Sequence, residues 1–406
     1  MSWLAEFDVR LAELDARSLR RRRRVVAPLD GARMAVDGVP LLAFCSNDYL
    51  GLAGHSALRA AVHEAVDRYG VGAGASPMVS GHGEANAALE LELAAAVQLP
   101  RAVYFYAGYA TNASLVQALV GAGDEIHADA LNHACLIDGA RLSRATIHRY
   151  GHGRLDELEA HLAASAARRK LVISDTVFSM DGDIADVAAL VALCERYDAL
   201  LLIDDAHGFG VLGPQGRGAL AAAGLIGERA SPRVIYMATL GKALGVAGAF
   251  IAGPENLIEW LLQKTRSYTY ATAAPALLAQ ALRASLACVL GAEGETRRAA
   301  LHANQARLRE RLAPGACAAV DAMGWRLAHS PSAIQPLIVG GNDAALALMA
   351  ALQRRGYWVP AIRPPTVAEG TARLRIALSA AHTPADVDGL ADAIAAEAAD
   401  LQRLST

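Results

Sequence analysis

Lys242 is one of only three lysines in 406 residues, whereas arginine supplies the other 35 of the 38 basic side chains. It follows the apolar run 234–238 and lies in the glycine-rich segment 239–245, which reads Thr-Leu-Gly-Lys-Ala-Leu-Gly. Unlike arginine, lysine can lose its proton and act as an amine nucleophile. A lysine kept between glycines therefore indicates Schiff-base chemistry, although a solvated loop lysine is the alternative for this segment taken alone.

A second set of polar residues follows an apolar strand in the segment 200–208, which reads Leu-Leu-Leu-Ile-Asp-Asp-Ala-His-Gly. Ligands of open α/β sheets bind at the carboxyl ends of strands, so Asp204 and His207 stand where chemistry is expected. Asp204 alone would equally suit a turn or a helix cap. With Lys242 added, the chain offers a carboxylate for a pyridine nitrogen, a histidine for a phenolate oxygen and an amine for an imine. These are the requirements of pyridoxal 5′-phosphate, a cofactor that acts as an electron sink.

Three shorter segments suit the same ligand. Gly108 and Tyr109 follow a strand and open a helix, whose backbone N–H groups can bind a phosphate. His133 begins another helix and can lie flat on an aromatic ring, and Ser179 follows a strand and can join His207 at the phenolate. Each segment has an ordinary structural interpretation by itself: a helix start, a packing histidine and a turn serine.

The amino-acid composition limits the classes of protein to which this chain can belong. Hydrophobic residues make up 54% and charged residues 19% of the chain, and the net charge of −3 gives no case for nucleic acid as a partner. The five cysteines are scattered without a Cys-x-x-Cys pair, which argues against a disulfide framework and a zinc site and suits a reducing compartment. The sequence also shows neither a signal peptide nor an apolar run long enough for a membrane span. It therefore predicts a soluble, cytoplasmic protein that binds no metal, nucleic acid or membrane.

Strands and helices alternate from about residue 56 to 290. Continuous apolar runs separated by Ala/Leu-rich helical stretches predict an α/β fold with a mostly parallel central sheet flanked by helices. The strand candidates are 102–106, 125–127, 145–149, 170–175, 200–204, 234–238 and 249–252. A long helical stretch, 275–312, leads into the pattern of a smaller α+β region. We therefore predict an N-terminal helix with a short extended segment (1–50), a large cofactor-binding domain (51–290) and a small C-terminal domain (291–406).

Four segments carry a resemblance to a known family. Residues 204–208, 239–242, 46–51 (Ser-Asn-Asp-Tyr-Leu-Gly) and 178–183 (Phe-Ser-Met-Asp-Gly-Asp) resemble those of the α-oxoamine synthases and occur in order at compatible spacing. Members of this family are fold-type I enzymes that depend on pyridoxal phosphate, and they condense an amino acid with an acyl-CoA and release CO2. The resemblance extends from the N-terminal helix to residues 380–383. It implies the same fold, cofactor and class of reaction for this chain.

The resemblance also implies roles for individual residues. Lys242 corresponds to the lysine that forms the Schiff base with the cofactor, Asp204 to the partner of the pyridine nitrogen, and His133 to the ring that stacks on the cofactor beside the substrate. His207 and Ser179 correspond to the groups at the phenolate oxygen. The implied phosphate contacts are Gly108, Tyr109, Thr239 and Thr272. Because the family supplies the last of these from a second subunit, the resemblance implies a homodimer with a shared active site.

The C-terminal segment 360–367 (Pro-Ala-Ile-Arg-Pro-Pro-Thr-Val) bears on the substrate. Its Ile-Arg-Pro-Pro-Thr string is similar to the branch of the family that joins alanine to a pimeloyl thioester, whereas glycine-using relatives typically carry Tyr-Pro there. Arg363 offers a planar fork for an amino-acid carboxylate, and Thr366 is an implied substrate contact. Asn47 can hydrogen-bond the same carboxylate. Arg21 corresponds to the position that binds the acyl substrate, although a run of five arginines is often only a solvated helix end.

The expected reaction is the condensation of L-alanine with pimeloyl-CoA or pimeloyl-acyl carrier protein, which gives 8-amino-7-oxononanoate, CO2 and the free thiol carrier in biotin biosynthesis. Two departures from the family pattern bear on it: Asp175 stands where relatives often carry Glu, and Ala75 and Pro77 alter a glycine-rich loop. A sister activity such as glycine C-acetyltransferase is the alternative. A non-catalytic regulator that binds pyridoxal phosphate is a more distant one.

Overall fold

The computed structural model describes residues 2–405, and its backbone groups into two compact units. The larger unit consists of Asn47–Ser179 and Asp183–Ala299. The smaller unit consists of the described residues up to Ser46, the short segment Met180–Gly182, and the described residues from Ala300 onward. The division into three domains that the sequence suggests stays a prediction.

Fifteen strands and fifteen α-helices, besides three short helices of other types, are defined within the described residues 2–405. The strands are β1 (Val26–Pro28), β2 (Arg33–Val36), β3 (Val39–Ala43), β4 (Arg101–Phe105), β5 (Glu125–Asp129), β6 (Thr146–Tyr150), β7 (Lys170–Asp175), β8 (Leu200–Asp204), β9 (Val234–Thr239), β10 (Ala249–Gly253), β11 (Arg326–Leu327), β12 (Ile334–Gly340), β13 (Tyr357–Trp358), β14 (Ala361–Ile362) and β15 (Ala372–Ala377). The helices are α1 (Trp3–Ala16), α2 (Ser56–Tyr69), α3 (Glu84–Val97), α4 (Gly108–Leu119), α5 (Ala134–Ser143), α6 (Leu155–Ala164), α7 (Val187–Arg196), α8 (Ala219–Ala222), α9 (Glu255–Lys264), α10 (Arg266–Thr269), α11 (Ala276–Leu290), α12 (Ala292–Leu312), α13 (Ala318–Ala322), α14 (Asn342–Arg354) and α15 (Pro384–Ser405).

The larger unit is built on a seven-stranded sheet in the order β4-β10-β9-β8-β7-β5-β6. The five strands β5 to β9 run parallel to one another, while β10 pairs antiparallel with both β9 and β4. All seven strands predicted for this region are present. The prediction of an α/β fold with a mostly parallel sheet flanked by helices is confirmed.

Burial explains why these strands are continuous apolar runs rather than alternating ones. Four of the five residues of β8 and five of the six residues of β9 are buried, as expected for central strands covered by helices on both faces. Helices α4 and α5 pack closely because Gly139 of α5 carries no side chain. A Cβ there would lie 3.0 Å from the carbonyl oxygen of Asn112 and 3.1 Å from Cα of Ala113. This close approach fixes the two helix starts that face the candidate site.

The smaller unit contains two four-stranded sheets, in the orders β1-β2-β3-β13 and β11-β12-β15-β14. Most pairings in them are antiparallel, but β13 lies parallel to β3. The ring of His382 stacks on Phe44 at a centroid distance of 4.0 Å, and its Nε2 lies 3.0 Å from the carbonyl oxygen of Ala43. These contacts tie the segment before α15 to the end of β3, so both ends of the chain contribute to this α+β unit.

The helical stretch predicted for 275–312 is interrupted, because α11 ends at Leu290 and α12 begins at Ala292. At the break, a Cβ on Gly294 would lie 2.0 Å from the carbonyl oxygen of Val289, so only glycine fits. Within the described residues, no single helix has the length and apolar composition needed to cross a membrane. Only α11 and α12 taken together, across their break, satisfy length and composition.

Candidate active site

A cavity of about 320 Å³ lies in the larger unit, at the carboxyl ends of β7, β8 and β9. Its volume is within the range of small-molecule sites. Of the residues singled out in the sequence, nine line it: Asn47, Gly108, Tyr109, His133, Asp175, Asp204, His207, Thr239 and Lys242. The cavity is therefore formed by segments from six separate parts of the chain.

Lys242 lies half-buried in the turn between β9 and β10, and its Nζ donates to Oγ1 of Thr239 at 3.1 Å. The turn closes through a hydrogen bond from the N–H of Gly245 to the carbonyl oxygen of Lys242, at 2.9 Å. Gly245 has a φ of +70°, and a Cβ there would lie 2.5 Å from the backbone nitrogen of Ala53. Glycine is thus required at this position for the turn to present the lysine.

Asp204 ends β8 and is 5% exposed. Its Oδ1 accepts from the backbone N–H of Ala206 at 2.9 Å, and its Oδ2 accepts from Nδ2 of Asn112 at 2.6 Å. Both donors are neutral, so they orient the carboxylate without cancelling its charge. Asn112 comes from the second turn of α4, so it reaches Asp204 only because α4 packs beside β8 and β9.

Asp205 follows directly and is engaged differently. Its carboxylate accepts from the hydroxyls of Thr176 and Tyr236 and from the N–H of Ala219, which starts α8. Burial raises the pKa of Asp205 to about 6. A Cβ at Gly208 would lie 2.1 Å from this carboxylate. Asp205 therefore anchors the turn that carries Asp204 and His207.

His133 caps the N-terminus of α5 through its ring, since Nδ1 accepts from the N–H of Cys135 at 3.2 Å. Its own backbone N–H donates to Oδ2 of Asp175 at 2.7 Å. Burial lowers the pKa of His133 against the opposing attraction of Asp204. Burial and the nearby charge of Asp204 raise the pKa of Asp175 well above its usual range. The shorter carboxylate at 175 thus has a defined contact, the backbone of His133.

His207 is buried, and its Nδ1 lies 2.6 Å from the hydroxyl of Tyr49. The same hydroxyl donates to Oδ1 of Asn47 at 3.1 Å. A hydrogen-bonded series of three side chains therefore joins two segments that are about 160 residues apart. Tyr49 has no role in the sequence-based prediction, although it lies in the polar segment 46–51 that the resemblance singled out.

The N-terminus of α4 lies against Thr239. A Cβ at Gly108 would be 2.5 Å from Cγ2 of Thr239, so the backbone approaches this side chain as closely as it can. The first N–H groups of a helix have no acceptor within the helix and carry a partial positive charge. Next to Gly108, the hydroxyl of Tyr109 hydrogen-bonds to Asp138. This corner of the cavity is suited to a phosphate.

Two predicted cofactor contacts in the larger unit do not line this cavity. Ser179 is half-buried on the loop after β7, and Thr272 is exposed in the short segment between α10 and α11. The resemblance assigns Thr272 to the site of a second subunit. Its exposure in a single chain is compatible with that assignment, and both roles stay predictions.

Three predicted substrate contacts belong to the smaller unit and lie together. Nη2 of Arg21 donates to Oγ1 of Thr366 at 3.0 Å, although the two residues are 345 positions apart. The half-buried guanidinium of Arg363 donates to the carbonyl oxygen of Ser18. Burial and the charge of Arg21 lower the pKa of Arg363. All three line a cavity of about 170 Å³, whose pair of guanidinium groups suits a carboxylate or a phosphate.

The polar groups that line the 320 Å³ cavity of the larger unit fit pyridoxal phosphate. A buried, acceptor-only carboxylate (Asp204), an amine (Lys242), an imidazole in a hydrogen-bonded series (His207) and a helix N-terminus beside a hydroxyl (Thr239) surround one space. The close approach at Gly108 is a further observation in favour, because any side chain there would fill the phosphate corner. Three other cavities within residues 2–405 do not combine these groups.

Comparisons with known proteins agree with this chemistry. The model of the family described as aminotransferase class I and II matches residues 39–394. An 8-amino-7-oxononanoate synthase of Paracidovorax citrulli is 69% identical over 394 residues, which cover 97% of this chain and 94% of the relative. A high-resolution structure of SPT with PLP superposes with a TM-score of 0.88 at 27% identity, covering 98% of both chains. An 8-amino-7-oxononanoate synthase structure from Francisella tularensis gives a TM-score of 0.73 at 28% identity, over 88% of this chain and 97% of that one.

Proposed function

This chain belongs to the aminotransferase class I and II family and is an enzyme that depends on pyridoxal phosphate; from this premise we propose that it condenses L-alanine with a pimeloyl thioester. The products are 8-amino-7-oxononanoate, CO2 and the free thiol carrier, and the reaction is a step of biotin biosynthesis. One observation carries the proposal: Lys242, Asp204, His207 and His133 converge on a single cavity in a chain that is 69% identical to a synthase of this name.

Each side of the cavity has a part in holding the cofactor. Asp204 would pair with the pyridine nitrogen, because Asn112 and Ala206 orient its carboxylate. His133 covers the ring, and its backbone bond to Asp175 supports that placement. The phenolate oxygen would be bound by His207 and Ser179. The phosphate would be bound by Gly108, Tyr109 and Thr239, and by Thr272 of a second copy in a homodimer.

When bound, pyridoxal phosphate supplies an electron sink that acidifies the Cα–H of the amino acid. Lys242 would hold the cofactor through its amine, and its Nζ would take the Cα proton of the amino acid as a general base. Thr239 supports this role because its hydroxyl accepts from Nζ and keeps the amine near the cavity. Asp204 would keep the pyridine nitrogen protonated, which would sustain the acidity of the Cα–H.

The substrates would use further polar groups. Asn47, which lines the cavity, would bind the alanine carboxylate, a role that the resemblance also implies for Arg363. Arg21 and Thr366 would bind the acyl substrate. The hydrogen bond between Arg21 and Thr366 supports a shared task for those two residues. After the carbon–carbon bond has formed and the thiol has left, the β-keto acid loses CO2, and Lys242 returns a proton to the same carbon.

Replacing the lysine tests the proposal. We expect Lys242→Ala to bind pyridoxal phosphate without the covalent absorbance band of the wild type and to form no 8-amino-7-oxononanoate from alanine and pimeloyl-CoA. Lys264→Ala is the matched control, because Lys264 is exposed on α9 and removes an equal charge. Product is followed by mass spectrometry, with glycine and acetyl-CoA as the competing pair. Turnover of glycine but not alanine, or an unchanged Lys242→Ala spectrum, would refute the proposal.

A further inference from the structure

His152 lies outside the cavity and joins the turn that carries His133, which lines the cavity, to the loop after β7. Its Nδ1 is 3.0 Å from Oδ1 of Asp129 at the end of β5, and its Nε2 is 2.8 Å from Oδ2 of Asp183 on the loop after β7. Its ring also meets Phe178 edge-on, at a centroid distance of 4.3 Å and an interplanar angle of 81°. One imidazole therefore contacts both loops through three groups. Two carboxylates on opposite nitrogens require a doubly protonated ring, because a neutral imidazole has a single N–H.

We propose that His152 is a positioning residue that ties the turn 129–133 to the loop 177–184 and so sets His133 and Ser179 at the cofactor. This inference rests on the proposed function only in taking those two residues as cofactor contacts. His152 itself contacts neither cofactor nor substrate. It acts through the two aspartates.

The connection to His133 runs through Asp129. Oδ1 of Asp129 accepts from the N–H of Leu131 at 2.8 Å as well as from His152, and its backbone oxygen accepts from Asn132. Oδ2 accepts from the N–H of Gly153, the residue after His152. The turn that presents His133 is thus built around a buried carboxylate whose charge is balanced by His152.

The connection to Ser179 runs through Asp183. The loop folds back on itself, with a bridge between Val177 and Ile184 and a hydrogen bond from the N–H of Phe178 to the carbonyl oxygen of Asp183 at 3.0 Å. Phe178 packs on His152, and Asp183 pairs with it. Ser179 follows Phe178 directly. Its position therefore depends on two contacts that the imidazole makes.

The charge on His152 has a definite pH range. Its hydrogen bonds to Asp129 and Asp183 raise its pKa to about 10, from an ordinary value of 6.5. The neighbouring Arg154 is engaged with Asp156 and Glu157 instead. Because the folded pKa is raised, the stabilisation is complete below about pH 6.5 and declines until it is lost as the pH rises through 10.

Substituting a neutral side chain of similar reach tests the inference. We expect His152→Gln to bind pyridoxal phosphate about tenfold more weakly than wild type at pH 7.5, with a changed circular dichroism of the bound cofactor, because both loops lose a charged partner. His63→Gln, on the exposed side of α2, is the matched control and keeps wild-type values. A His152→Gln protein with lower thermal stability but wild-type affinity and dichroism would overturn the inference, since the role would be structural only.

Two further measurements keep the test decisive if His152→Gln folds poorly. Asp183→Asn removes one ion pair, and we expect it to weaken the binding of pyridoxal phosphate about threefold. In the double variant, which combines it with His152→Gln, we expect no further loss of affinity beyond that of His152→Gln alone. The stability advantage of wild type over His152→Gln should also shrink steadily from pH 6.5 to pH 10. Additive losses, or an advantage independent of pH, contradict the inference. A wild type that fails to bind pyridoxal phosphate would instead refute the proposed function.

Discussion

The larger unit contains two groups of polar side chains that differ in how they are partnered. In the cavity group, Asp204 accepts two hydrogen bonds, His207 pairs with Tyr49, and Lys242 pairs with Thr239. In the histidine group, formed by His127, His148 and His161, ring centroids are 5.2 to 6.2 Å apart. Within the described chain, both ring nitrogens of the fully buried His127 lack a hydrogen-bond partner.

The difference shows that burial and residue type alone do not make a site. Two neutral hydrogen-bond donors orient the carboxylate of Asp204, whereas burial lowers the pKa of His127 to about 4 and leaves it neutral. The carboxylate of Glu125 stays 3.6 and 3.7 Å from two of the histidines, beyond a good hydrogen bond. A buried charge with oriented partners is prepared for chemistry, while a neutral buried histidine behaves as part of the core.

After the loss of product expected for Lys242→Ala, the largest expected effect is at Asp204. Asp204→Asn keeps the size of the side chain but removes the carboxylate that, in the proposed function, keeps the pyridine nitrogen protonated, so we expect kcat to fall by about a thousandfold with the fold intact. Steady-state kinetics with alanine and pimeloyl-CoA measure it. Asp205→Asn provides the contrast, because its carboxylate faces Thr176 and Tyr236 and should affect mainly the free energy of unfolding. Equal losses of kcat in both variants would contradict this difference between Asp204 and Asp205.

A smaller effect is expected at Tyr49. Tyr49→Phe removes the hydroxyl that lies between His207 and Asn47 and keeps the buried ring. The loss of hydrogen bonds worth about 1 kcal/mol should lower kcat by roughly fivefold, with little change in thermal stability. Tyr69→Phe, at the C-terminal end of α2, is the control. An unchanged kcat for Tyr49→Phe would show that the hydroxyl of Tyr49 does not contribute to the work of the cavity group.

The sequence predicts the residues of the cavity group but not their partners. Lys242, Asp204 and His207 stand at strand ends, where local pattern and known sheet chemistry coincide. Asn112 and Tyr49 are 92 and 158 positions from the groups they contact. Their pairing depends on the packing of α4 and on the course of the chain before α2, which no local pattern encodes. The antiparallel direction of β10 was likewise unpredicted, since its run is as apolar as its parallel neighbours.

The smallest expected effect, and one of opposite sign, is at His127. His127→Leu removes two unpaired buried nitrogens, so we expect the free energy of unfolding to rise by about 1 kcal/mol at pH 7.5 with unchanged kinetic constants. Because the folded pKa of His127, about 4, lies below its ordinary 6.5, the wild type loses stability as the pH falls through this range. The gap between variant and wild type should therefore widen from pH 7 to pH 5 in urea unfolding, whereas His63→Leu shows no such trend. A difference in unfolding free energy that stays constant with pH would mean that His127 has hydrogen-bond partners in solution, like the side chains of the cavity group.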